Sequence, residues 1–160
     1  MSISGETIHA GVHPIMIESI EKAAASLDFT GTRALRVLLH AGVSALWPVI
    51  KARPDKQIEA YESTLAVLRR RWEHEATCTP DPVASAMFRQ LDRDVMSFLE
   101  LCAEKSGTEW LEPVNSIAAY LVAVMQGMVL RWLADCDDET ALVVLDDLVS
   151  SLSTKAVDCV

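Results

Sequence analysis

The chain has 160 residues, the length of one ordinary domain that can bury a core without disulfides or metal ions. Hydrophobic residues make up 51% of it and charged residues 23%, a balance typical of globular proteins and not of disordered chains. The formal net charge of -9 argues against nucleic-acid binding, because neutralising phosphates requires a basic face.

Helical periodicity runs through the whole chain, with no alternating β-type run and no hairpin signal. A first helix is predicted from about Pro14 to Leu27, since proline suits the first helical position. A second is predicted from about Thr32 to Lys51, and Pro48 inside it predicts a kink beside Trp47. A third begins near Pro54-Asp55.

The polar, proline-broken segment from His74 to Pro82 predicts a loop. Asp81-Pro82 is then typical of an N-cap followed by the first position of a fourth helix, which reaches about Lys105 and ends at Gly107. We therefore expect an all-α chain of six helices. Residues 1–13 are predicted to be an N-terminal tail and residues 14–157 a single helical domain.

The fifth and sixth helices, Val114 to Ala134 and Asp138 to Thr154, carry more apolar surface than one core can cover. A second copy of the chain would cover it through a four-helix interface, so we expect a homodimer. The predicted interface residues are Ile117, Leu121, Val124, Met128, Trp132, Ala141, Leu145, Leu148 and Leu152.

The cellular compartment is predicted from cysteine usage and from the N-terminus. Cys78, Cys102, Cys136 and Cys159 form no C-x-x-C pair, so neither a zinc site nor a redox motif is indicated. Reduced thiols and an N-terminus without a secretory signal predict a cytoplasmic protein. The apolar run from Ile117 to Leu130 is shorter than the about 20 residues of a membrane span, and we expect no membrane association.

Two segments carry a resemblance to the C-terminal domain of TetR-family transcriptional regulators. In the segment from Ala45 to Arg69, a Trp-containing helix end is followed by Pro-x-x-Gln and by Tyr-Glu-x-Thr before Leu-Arg. The segment from Met125 to Asp137 resembles the end of that family's penultimate helix, where a small residue precedes Trp-Leu and an acidic turn. The resemblance extends over roughly Pro14 to Leu152. It implies a TetR-like helical bundle that binds a small effector and pairs through its last two helices.

The family's usual architecture places a helix-turn-helix module of DNA-binding helices before this domain. Only Met1 to His13 precede the first predicted helix, so we expect this chain to make no direct nucleic-acid contact. Arg69-Arg70-Arg71 is the one basic cluster and fits the last turn of a helix. Three function classes stay open. The first is a homodimeric ligand-binding domain, and the second is a headless interaction protein that pairs with a full-length relative and titrates it from DNA. The third is a small all-helical enzyme or carrier, for which the sequence offers no positive feature.

The sequence contains no motif that is typical of enzymatic or metal chemistry. It lacks G-x-S-x-G, a glycine-rich phosphate loop and H-E-x-x-H, and its four histidines, His9, His13, His40 and His74, have no ligand spacing. We therefore expect no enzyme, no cofactor and no metal.

A small-molecule site is better supported, because such pockets are mostly apolar and commonly lie between bundle helices. The expected ligand is an apolar or amphipathic small molecule. The predicted ligand-binding residues are Trp47, Tyr61, Glu62, Phe88, Met96, Tyr120 and Gln126. For each aromatic the alternative is a place in the core, and for Glu62 it is a surface ion pair with Arg69.

Overall fold

A computed structural model describes residues 11–74 and 77–160. Within them it confirms an all-α fold of six helices, to which it adds a two-stranded sheet. The helices are α1 (Pro14–Ser26), α2 (Thr32–Ala52), α3 (Pro54–His74), α4 (Pro82–Ser106), α5 (Val114–Asp135) and α6 (Asp138–Ser153). The strands are β1 (Thr108–Trp110) and β2 (Ala156–Asp158). Residues 1–10 of the predicted tail and 75–76 of the predicted loop lie outside the described residues.

Local caps set several helix ends where the sequence predicts them. The Asp81 carboxylate accepts the amide of Ala84 at 2.9 Å, and Pro82 follows it at the first position of α4. Gly107 ends α4 in the left-handed conformation at φ 70°. Asp137 caps α6 by accepting the amide of Thr140 at 3.0 Å. Pro48 does not end α2, which continues through it to Ala52.

The small sheet joins the α4–α5 connection to the C-terminal segment. β1 and β2 are antiparallel, with Thr108 opposite Asp158 and Trp110 opposite Ala156. Asp158 also caps α2, because its carboxylate accepts the amide of Thr32 at 2.6 Å where the N-cap residue Gly31 offers no side chain. β2 ends at Asp158, one residue past the predicted domain end at 157, and the amide of Cys159 donates to the carbonyl of Gly107 at 2.9 Å.

The core lies between α1, α2, α4, α5 and α6, where α2 packs against α1, α4 and α6 and α5 packs against α4 and α6. Fully buried side chains include Ile20, Leu35, Leu38, Leu39, Leu99, Ile117, Leu148 and Leu152. In contrast, α3 contains no buried residue and lies along the outside of the bundle. The space between α3 and the other helices is where the candidate site is found.

Candidate functional site

A cavity of about 370 Å³ lies between α3 and the bundle. Its wall from α2 consists of Val43, Leu46 and Ile50, which recur every three to four residues and so share one helical face. α5 supplies Leu121, Val122, Met125, Gln126 and Val129, and Leu91, Val95 and Phe98 of α4 add to the wall. Most of the lining is therefore apolar, as in small-molecule pockets.

α3 closes one side of the cavity with a polar face made of Gln57, Tyr61 and Thr64. The Tyr61 hydroxyl donates a hydrogen bond to the main-chain carbonyl of Gln126 in α5. The Thr64 hydroxyl donates to the carbonyl of Ala60 at 3.0 Å. Partial burial raises the pKa of the Tyr61 phenol above its ordinary value, so this hydroxyl stays protonated and able to donate.

The segment that precedes α1 also borders the cavity, through Gly11, Val12 and His13. His13 caps α1. Its Nδ1 accepts the amide of Ile15 at 3.2 Å, and its carbonyl accepts the amides of Met16 and Ile17. Gly11 has φ +96°, and a Cβ at this position would overlap the carboxylate of Asp94. Glycine is therefore required for the close approach of this segment to α4.

Asp94 is a cavity residue that sequence reasoning missed. It interrupts the apolar face of α4, lying three residues after Leu91 and four before Phe98. Its Oδ1 accepts a hydrogen bond from Gln90 Nε2 at 3.1 Å. A carboxylate inside an otherwise apolar helical stripe was the signal that could have identified it.

The structure places two of the seven predicted ligand-binding residues, Tyr61 and Gln126, on the cavity wall. Glu62 is exposed on the outer side of α3, and Met96 is partly buried against the core. Phe88 lines a separate open groove between the end of α3 and the start of α4. Tyr120 is exposed, and its hydroxyl donates to Ser151 Oγ at 3.3 Å.

Trp47, the remaining predicted ligand residue, is buried in the core and does not line the cavity. Its ring meets that of Trp132 edge-on, with centroids 5.5 Å apart, and its indole nitrogen is buried without a partner among the described residues. Asp138 joins the cluster by accepting hydrogen bonds from Trp132 Nε1 at 2.9 Å and Lys51 Nζ at 3.0 Å. Trp47 follows the cavity residue Leu46 by one position, which turns its side chain about 100° from that of Leu46 around α2, and its ring packs on Trp132.

The nine predicted interface residues lie mostly inside the subunit. Ile117, Leu121, Met128, Ala141, Leu145, Leu148 and Leu152 are buried in its own core, and Val124 and Trp132 are partly buried. The large apolar side chains that α5 and α6 leave in solvent are instead Leu130, Leu142 and Val143, which are 56%, 56% and 60% exposed. Any face that these helices offer to a second subunit is formed by this other set.

The described residues contain no candidate metal site. Within residues 11–74 and 77–160, no group of three or more His, Cys, Asp or Glu side chains is placed to hold a metal ion. α2 and α5 have the length and hydropathy of a membrane span. Both contribute buried side chains to the bundle, and core helices of soluble proteins can have the same length and hydropathy.

Of the three residues in the basic cluster, Arg71 is engaged by its own chain. It donates to the carbonyls of Thr77 and Thr79, and its guanidinium lies 4.5 Å from the ring centroid of Trp72. Arg69 and Arg70 are exposed at the end of α3, as the sequence predicts for this helical turn.

The candidate functional site is the cavity between α3 and the bundle. Comparison of the chain with protein-family models, curated proteins and solved structures finds no match.

Proposed function

We propose that this chain is a small-molecule-binding regulatory domain of the TetR type, and that its ligand occupies the cavity between α3 and the bundle. The cavity is the observation that supports the proposal most directly. Its volume of about 370 Å³ lies within the range of about 300–1,000 Å³ common for ligand pockets. Its mostly apolar lining and few polar groups suit an apolar or amphipathic molecule.

The second part of the proposal is homodimerisation through the outer faces of α5 and α6. α5 carries no charged side chain before Arg131, and its solvent side presents Ala123, Gly127 and Leu130. On α6, Val143 is also exposed. A second copy of the chain placed on this face would bury it in an isologous four-helix contact.

α5 connects the two parts, because one of its faces lines the cavity while the opposite face is exposed. Met125, Gln126 and Val129 lie on the cavity side, and Ala123 and Leu130 point away from it. A ligand that shifts α5 would therefore alter how two subunits meet. Such a change favours one arrangement of the dimer over another, which is the basis of a regulatory response.

The proposal assigns DNA contact to another part of such a regulator, because a chain with net charge -9 offers phosphates no basic face. We expect the protein in the cytoplasm, where its cysteines would stay reduced. All four are free thiols in the structure.

A rim substitution tests ligand binding without disturbing the core. Ala60 and Ala66 are both exposed on α3, but only Ala60 borders the cavity. The neutral fluorophore N-phenylnaphthylamine should bind the wild-type chain saturably and raise its thermal midpoint with concentration. Ala60→Trp should weaken binding by narrowing the mouth of the cavity, and Ala66→Trp should leave it unchanged. Absence of saturable binding, or equal effects of both variants, would contradict the proposal.

A further inference from the structure

Apart from the His13 ring and the side-chain amides of Gln57 and Gln126, which can both donate and accept, the polar side chains around the cavity act as hydrogen-bond acceptors. The hydroxyl protons of Tyr61 and Thr64 are already donated to the carbonyls of Gln126 and Ala60. Each of these two oxygens therefore keeps only lone pairs for a further partner, and the carboxylate of Asp94 is an acceptor by nature. A ligand that supplies donors fits this set better than one that supplies acceptors.

Among the residues that the structure describes, the cavity also carries a negative charge that has no ion-pair partner. Asp94 is its one acidic side chain, and no lysine or arginine lines it among the described residues. The neighbouring Arg93 donates to Gln90 Oε1 at 2.6 Å, and in the part of the chain that the structure describes no cationic group lies within ion-pair distance of Asp94.

His13 and the first turn of α1 are engaged within the chain. The Nδ1 atom of His13 accepts the amide of Ile15 at 3.2 Å. The amides of Met16 and Ile17 donate to the His13 carbonyl at 2.9 Å and 3.3 Å. The positive end of this helix is thus capped by its own chain.

We infer that the preferred ligand is an apolar molecule that carries a protonated amine, with the Asp94 carboxylate as its counter-ion. The inference rests on the proposed function, because it assigns a ligand class to the same cavity. A carboxylate in a mostly apolar wall is stabilised by an opposite charge and opposes a second negative one. Phe98 and Tyr61 line the same cavity, and aromatic faces attract cations.

Three naphthalene probes of nearly equal size separate charge from shape: naphthylmethylammonium, naphthylmethanol and naphthoate. Their affinities for the full chain are measured by calorimetry at neutral pH. We expect the ammonium to bind about tenfold more tightly than the alcohol, and naphthoate to bind most weakly. This comparison on the wild-type chain tests the inference independently of any substitution.

Asp94→Asn should abolish the preference for the ammonium while the alcohol keeps its affinity. Glu100→Gln is the matched control, because it removes one negative charge from an exposed position of α4 outside the cavity. The control should keep the full preference. Equal binding of the three probes, or a preference that persists in Asp94→Asn, would overturn the inference alone. Failure of all three probes to bind would overturn the proposed cavity function together with it.

Discussion

The hydroxyl of Tyr61 in α3 donates a hydrogen bond to the main-chain carbonyl of Gln126, halfway along α5. This bond lies at the cavity wall. It joins α3, which has no buried residue, to α5, which is one of the helices that form the core. It therefore holds α3 against the bundle where side-chain packing contributes least. The position of α3 determines the shape of the cavity.

Tyr61→Phe should destabilise the chain by about 1 kcal/mol, because it removes one partly buried hydrogen bond and leaves the carbonyl with its helical partner alone. Urea unfolding followed by circular dichroism measures the loss. Tyr120→Phe is the matched control, since its hydroxyl bond to Ser151 is exposed and should contribute less than about 0.5 kcal/mol. Equal losses in the two variants would show that the Tyr61 bond has no special role.

Leu130→Glu should convert the proposed dimer to monomer, because it places a charge at the most exposed large apolar side chain of the outer face of α5. Size-exclusion chromatography with light scattering gives the mass. Leu65→Glu on α3 introduces the same change at a leucine that is 63% exposed and lies away from that face, and it should remain dimeric. A wild-type monomer, or a dimer that survives Leu130→Glu, would rule out this interface.

Asp138→Asn should reduce stability near neutral pH, and its difference from wild type should shrink in acid. Hydrogen bonds from Lys51 and then Trp132 hold the pKa of Asp138 below its usual range. Its stabilisation is therefore complete above the ordinary aspartate pKa of about 3.9 and is lost as pH falls through the lower folded value. Unfolding free energies measured across acid pH test this. Asp147→Asn removes a carboxylate from an exposed site on the same helix and is the matched control.

Thiol reagents should modify three cysteines of the native chain rapidly and the fourth only on unfolding. Cys78, Cys136 and Cys159 are exposed, whereas Cys102 is buried, and burial raises its pKa and disfavours the reactive thiolate. Titration with a chromogenic disulfide, with and without denaturant, counts both classes. Cys102→Ala should abolish the slow class, and fast modification of all four cysteines would contradict the described packing.

The sequence by itself determined the number and ends of the helices, because those ends depend on neighbouring residues. Pro14, Asp81-Pro82 and Gly107 act within one helical turn through a fixed φ, a capping carboxylate and a left-handed conformation. The apolar periodicity likewise marked the helices that would supply the core. Of the predicted ligand residues, Tyr61 and Gln126 line the cavity, and each is a polar group beside an apolar stripe that is visible in the sequence.

Only the tertiary structure decided which helical face meets the core, the cavity or solvent. α5 is apolar around most of its circumference, so periodicity could not distinguish buried Leu121 from exposed Leu130. The cap that Asp158 places on Thr32 joins residues 126 positions apart, and the three-residue strands beside it are too short to leave an alternating pattern. The contact between Gly11 and Asp94 is also long-range. Such contacts depend on how the helices pack together, which local propensity does not determine.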